Sequence, residues 1–218
     1  MKTPSMKRLF FVLLLLTFYP LEAQTSLKAK ALLDKVANEM NAAKNLQFGF
    51  TYVLENKQEK IRQETEGNVT VAQDKYRLNM TDVQQLFDGT QLYTIVPDNE
   101  EITISSPDEA AEVGINPSEL LFFYIKGYDY HWDILQNVRG QKIQYVKLIP
   151  TDDNPDIQYL LLGIDVANSS IYRLIEIGKN TTRTTLTLNN MVRDISLPEN
   201  FFTFDSSQYP DYFINEAF

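Results

Sequence analysis

Phe48-Gly49-Phe50-Thr51-Tyr52-Val53-Leu54 is the stretch that decides the fold. Its largest apolar residues fall on every second position, with Gly49, Thr51 and Val53 between them. Successive side chains of a strand point to opposite faces, so this spacing describes a half-buried strand with one strongly apolar face. The chain just upstream keeps a different period. Leu32, Leu33, Val36 and Met40 recur at helical spacing, which predicts an amphipathic helix capped at Ser26 and ending near Ala43. Downstream, the charged stretch from Glu55 to Glu64 reads as a hairpin tip with the outer ends of its two strands. Gly67, Val69 and Val71 return along the second strand. Asp74-Lys75 then turns the chain into a third, with Tyr76, Leu78 and Met80 on one side.

The same pattern runs on toward the C-terminus. Asp88-Gly89, between Gln85-Leu86-Phe87 and Leu92 to Val96, is a hairpin turn of the primed kind. Pro97-Asp98-Asn99 makes the next turn, before a short strand from Glu101 to Ser105. An acidic loop from Ser106 to Gly114 follows. Asn116-Pro117-Ser118-Glu119 then opens a second helix through Leu120 to Ile125, stopped by Gly127. Five more strands are expected, at Tyr128 to Leu135, Lys142 to Ile149, Tyr159 to Asp165, Ile171 to Ile177 and Arg183 to Asn190. Regular strands with only two helices imply a mainly β (α+β) chain built on one large antiparallel sheet, curled or half-closed. No linker interrupts it.

The N-terminus reads as a leader. Lys2, Lys7 and Arg8 precede an apolar run from Leu9 to Tyr19, and Leu21-Glu22-Ala23 supplies a small residue at a cleavage site. The run is too short to span a bilayer comfortably. Residues 1–23 are therefore expected to be a signal peptide, and residues 24–218 a single soluble domain. Without cysteine, that domain has neither a disulfide framework nor a thioether-linked lipid, and its core alone must stabilise it. Removing Lys2, Lys7, Arg8 and Glu22 with the leader leaves 17 Lys+Arg against 28 Asp+Glu. So acidic a chain has no electrostatic footprint for nucleic acid and none for anionic lipid surfaces. Asn-x-Ser/Thr sequons at Asn68, Asn79, Asn168 and Asn180 matter only in a eukaryotic secretory pathway.

Catalytic chemistry is poorly provided for. The single histidine, His131, lies in the strand Tyr128-Asp129-Tyr130-His131-Trp132, and no Gly-x-Ser-x-Gly elbow accompanies it. The eight glycines are scattered singly, so none forms a phosphate-cradling loop. Asp152, Asn154 and Asp156 match the start of a calcium loop by spacing. Ile157 stands where that loop requires glycine, however, and Gly163 where it requires a carboxylate, so a solvated Asx turn is expected. No catalytic residue, metal or cofactor is expected, and the chain reads as a binding protein, not an enzyme.

The remaining signal is apolar bulk. Phe48, Phe50, Tyr52, Tyr76, Leu78, Leu86, Tyr93, Phe122, Phe123 and Tyr124 exceed what two helices need to cover, and together they permit a cavity. Its expected lining is Phe48, Phe50, Tyr52, Val69, Tyr76, Leu78, Leu86, Tyr93, Leu121 and Phe122. Alternation puts Thr51 and Arg77 on the opposite face from Phe50 and Tyr76.

Taken in order, several segments resemble the periplasmic outer-membrane lipoprotein carriers of the LolA type. They are Phe48-Gly-Phe-Thr-Tyr after an amphipathic helix, Gly67-Asn-Val-Thr-Val, Lys75-Tyr-Arg-Leu, and Phe87-Asp-Gly-Thr-Gln-Leu-Tyr with Val96-Pro97. Asn116-Pro-Ser-Glu-Leu and Phe201-Phe-Thr-Phe-Asp complete the series. The resemblance implies an unclosed antiparallel barrel with helices covering its concave face. It also implies a monomeric periplasmic carrier that takes acylated lipoproteins from an inner-membrane ABC-type releasing complex to an outer-membrane acceptor. A sensing or other lipid-binding module on the same half-barrel is the second expectation. One departure concerns the lid: where better-studied members have an arginine that holds it shut, this chain has Ala72-Gln73-Asp74, and the nearest arginine is Arg77. Tyr76 stands where those members have an aromatic residue, and Leu78 where they have a tryptophan.

Overall fold

The alternation that begins at Phe48 extends past both ends of that stretch. The first strand, β1, runs Leu46–Asn56 and pairs antiparallel with β2, Ile61–Ala72, across the charged tip. The computed structural model describes residues 20–106 and 116–216. The acidic loop and most of the leader therefore lie outside the described residues.

A meander continues through β3 (Lys75–Met80), β4 (Gln84–Phe87), β5 (Leu92–Val96) and β6 (Glu101–Ser105). A second meander is built from β7 (Tyr128–Val138), β8 (Gln141–Pro150), β9 (Ile157–Asp165), β10 (Ser170–Gly178) and β11 (Thr182–Arg193). Pairing of β11 with β1 joins the two halves into one sheet. A short C-terminal strand, β12 (Phe213–Glu216), adds itself to β6. The order across the sheet is β12-β6-β5-β4-β3-β2-β1-β11-β10-β9-β8-β7, and the two end strands do not pair with each other. The sheet is therefore unclosed. It is antiparallel throughout except at β12, which runs parallel to β6.

Helix α1 (Pro20–Asn41) lies on the concave face over β7 and β10. Ala29, Leu33, Val36, Ala37 and Met40 form its buried stripe at the three- and four-residue spacing expected of a helix face. Ser26 is not its cap but lies inside it. Leu21 to Thr25 contains neither Gly nor Pro to stop the helix, and a Ser in mid-helix costs only about 0.5 kcal/mol relative to Ala. The second helix is also shorter than its apolar run suggests. Helix α2 covers Pro117–Leu120, capped by Asn116, whose side chain accepts from the Ser118 N–H at 2.9 Å. Phe122 breaks it at φ −129° and ψ 0°, and Phe123–Ile125 continues as a 3-10 turn. That break lets Tyr124 point into the core, where it is fully buried. The Tyr130 hydroxyl ties the turn to β7 by donating to the carbonyls of Tyr124 and Ile125 at 2.8 and 2.9 Å.

The main core lies between α1 and the concave face of β8 to β10, where Val146, Leu148, Leu162 and Ile164 are fully buried. Each such residue contributes about 1.5–3 kcal/mol of burial free energy.

Candidate functional site

Strand register places Phe48, Phe50 and Tyr52 of β1 on the concave face, beside Val69 of β2 and Leu78 and Met80 of β3. On the other flank, Phe50 lies opposite Leu188 of β11 and Tyr52 opposite Leu186, which in turn lies opposite Leu174 of β10. Pro117 and Leu120 of α2 cross above. These side chains enclose a cavity of about 460 Å³, within the range of small-molecule pockets. Thr65, Gln85, Glu176 and Thr184 complete the lining.

One glycine makes room for it. Gly67 lies opposite Phe50, and a Cβ at that position would come within 2.7 Å of the Phe50 ring and 2.5 Å of the Asn79 carbonyl oxygen. The absent side chain lets the ring lie flat across β2 and form one wall.

Five of the residues expected from sequence line this cavity: Phe48, Phe50, Tyr52, Val69 and Leu78. Tyr76 shares their face but is buried beside them in the core, its ring 5.7 Å from that of Phe87. Burial pushes its hydroxyl up to about 12, with Glu119 of α2 adding to the shift. Leu121 is buried and Phe122 packs against the same core, and neither lines the cavity.

Leu86 and Tyr93 lie on the opposite, convex face. Leu86 pairs with Arg77 and with Tyr93, so all three point away from the cavity. There the Tyr93 ring stacks on Phe204 with centroids 4.3 Å apart, and the Arg77 guanidinium lies 5.2 Å from the Phe201 ring. Apolar residues at 86 and 87, and again at 92 and 93, carry no alternation, because this part of the sheet is covered on both sides. The cover is the segment 198–212, which contains the Phe201-Phe-Thr-Phe-Asp motif. Arg77 is thus turned away from α2 and makes no latch on it.

Sequence reasoning missed Met80, Gln85, Pro117, Leu120, Leu174, Glu176, Thr184, Leu186 and Leu188 as parts of this lining. Met80 was legible in the alternation of β3. The residues of β10 and β11 were not, because only the long-range pairing of β11 with β1 brings them onto the same wall.

Among the described residues that line the cavity, one is charged, Glu176. Burial raises its carboxyl above the usual range, and the nearby Asp156 adds to the shift. Elsewhere, Asp88 closes the β4–β5 turn. Burial pushes its carboxyl up, but donors from Thr90, Gln91 and Tyr93 outweigh that and hold it low. His131 is exposed on the edge strand β7. Asn154 accepts from the N–H groups of Asp156 and Ile157 at 2.9 and 2.8 Å, which is an Asx turn. No cluster of His, Cys, Asp or Glu suited to a metal occurs among the described residues.

No family model and no curated protein matches the chain. Solved structures do. An uncharacterized conserved protein from Thermus thermophilus superposes with a TM-score of 0.59 at 10% identity, over 87% of this chain and 99% of its own. A LolA superfamily protein from Nitrosomonas europaea matches with a TM-score of 0.41 at 12% identity, over 81% of this chain and 97% of its own. The lipoprotein LppX of Mycobacterium tuberculosis matches with a TM-score of 0.49 at 8% identity, over 78% and 98%. At such identities the likeness is of fold alone. That fold is an unclosed antiparallel sheet with helices laid in its concave face.

Proposed function

We propose that this chain is a periplasmic carrier that holds the acyl chains of lipoproteins in its concave cavity and moves them from the inner to the outer membrane. The observation that supports this reading most directly is the cavity itself. It is walled by Phe48, Phe50, Leu78, Met80, Leu186 and Leu188, with a single charged residue among the described residues that line it.

A carrier of this kind answers a physical need. Each methylene withdrawn from a bilayer costs about 0.8 kcal/mol, so several long acyl chains resist transfer through water by roughly 20–30 kcal/mol. A wall of aromatic and aliphatic side chains replaces that contact without fixing the ligand by a strong polar anchor, so the load can be passed on. The inner-membrane donor would be an ABC-type releasing complex, and the recipient an acceptor on the outer membrane. A periplasmic sensing module on the same half-barrel is the second reading.

Mass spectrometry of the protein purified from its native envelope tests this. Acylated peptides recovered with the protein support the carrier. Recovery of signalling partners without lipid favours the sensor. A preparation free of lipid, which also fails to enhance the fluorescence of an apolar dye, overturns both.

A further inference from the structure

Thr65, Thr184 and Glu176 lie toward one end of the cavity, and Gln85 of β4, opposite Leu78, lies at the other. Across the sheet, the row Met80–Gly67–Phe50–Leu188 is wholly apolar. The next row, Thr65–Tyr52–Leu186–Leu174, begins to mix. Beyond it, Leu54–Thr184–Glu176 carries a hydroxyl and a carboxylate side by side. From that apolar row toward the β1–β2 tip the cavity is therefore graded to a polar margin, with Gln85 on the other side of the row. A hole graded this way fits an amphiphile lying with its chain under α2 and its head at Glu176.

We infer that Glu176 selects the head group of that ligand, admitting acyl chains whose polar end is neutral or cationic and disfavouring those ending in an anion. The inference rests on the carrier reading and adds a specificity to it.

Three observations carry it. Glu176 is the only charged residue among the described residues that line the cavity. Its carboxylate has no ion pair and no hydrogen bond among the described residues, so no cation within the protein masks it. The groups facing it are Asp156 and Tyr128, neither of which supplies positive charge. A half-buried carboxylate has lost part of its hydration and has open acceptor positions. An amide N–H or an ammonium group at the ligand head fills them. A carboxylate or phosphate head placed there meets like charge in a medium of reduced dielectric.

The test uses three ligands of one chain length: palmitamide, palmitate and hexadecyltrimethylammonium. Each displaces an apolar dye from the mature wild-type protein and from Glu176→Gln. In the wild type, palmitate should bind about tenfold more weakly than palmitamide. In Glu176→Gln that gap should close to within about twofold, by tighter binding of palmitate, while the ammonium ligand weakens. A second measurement needs no variant. Raising salt from low to high concentration should narrow the wild-type gap, because the discrimination is Coulombic. An unchanged ligand order in a folded Glu176→Gln, or a gap insensitive to salt, overturns the role of Glu176 and leaves the carrier intact. Failure of all three ligands to displace the dye from either protein overturns the carrier reading and this selectivity with it.

Discussion

The concave face of this sheet has two halves built of similar residues and covered very differently. Over β7 to β10 lies α1, 22 residues long, and beneath it Val146, Leu148, Leu162 and Ile164 are fully buried. Over β1 to β3 lies α2, with four residues, and beneath it Phe50, Tyr52 and Met80 remain half-exposed. At 1.5 Å per residue the first helix spans about 33 Å and the second about 6 Å. Both halves present large apolar side chains, and the difference between them lies in the cover. Among the described residues, the cavity lies where one half of a continuous apolar surface is covered by a helix of a single turn.

If this contrast is right, the two halves respond to substitution in different ways. The largest effect is expected under α1. Leu162→Ala opens a void in a closed core and should cost about 2–5 kcal/mol, read from the denaturant midpoint. Dye binding by the folded fraction should stay as in the wild type. A loss of binding at constant fold would show that the halves are one site.

Gly67→Ala comes next. Its Cβ meets the Asn79 carbonyl and the Phe50 ring, and overpacking of this kind costs about 1–3 kcal/mol. Here stability and ligand uptake should fall together, because the displaced ring is a cavity wall. Uptake that survives at wild-type level would remove Phe50 from the site.

Phe50→Leu sharpens the comparison further. It trims the wall without adding charge, and acyl-chain affinity should drop about tenfold, equivalent to about 1.4 kcal/mol. Thr51→Ala, on the convex side, should leave affinity unchanged. The reverse pattern in a displacement assay would move the ligand to the other side of the sheet.

The smallest effect has the opposite sign. Tyr124 is fully buried under α1, and its hydroxyl has no hydrogen-bond partner among the described residues. Burial, with smaller contributions from Asp34 and Tyr130, pushes that hydroxyl far above the usual tyrosine range. Removing an unsatisfied buried polar group relieves its desolvation, so Tyr124→Phe should stabilise the protein by about 1 kcal/mol. A destabilised variant would mean that the hydroxyl has a partner, such as a bound water.

How far the site could be read from sequence differs strand by strand. In β1 to β3, large residues alternate with small or polar ones, so Phe48, Phe50, Tyr52, Val69 and Leu78 could be assigned to one face. In β4 and β5 the alternation fails at Leu86-Phe87 and Leu92-Tyr93. Leu86 and Tyr93 accordingly lie under the C-terminal aromatic segment, away from the cavity. Glu176 looked like an ordinary strand residue, since nothing local shows which face of β10 will line the cavity.

Local periodicity by itself determined that the chain is a mainly β protein with an amphipathic helix ahead of its first strand, and where most strands and turns fall. Those features depend on neighbours in the chain, and neighbours are what a sequence displays. Only the tertiary structure decided that β11 closes against β1, that the segment 198–212 covers the convex face of β3 to β5, and that α2 stops after one turn. The first two outcomes depend on which surfaces meet across more than a hundred residues of chain and the third on packing against β2 and β3, and hydrophobic burial, being non-directional, leaves no local mark of its partner.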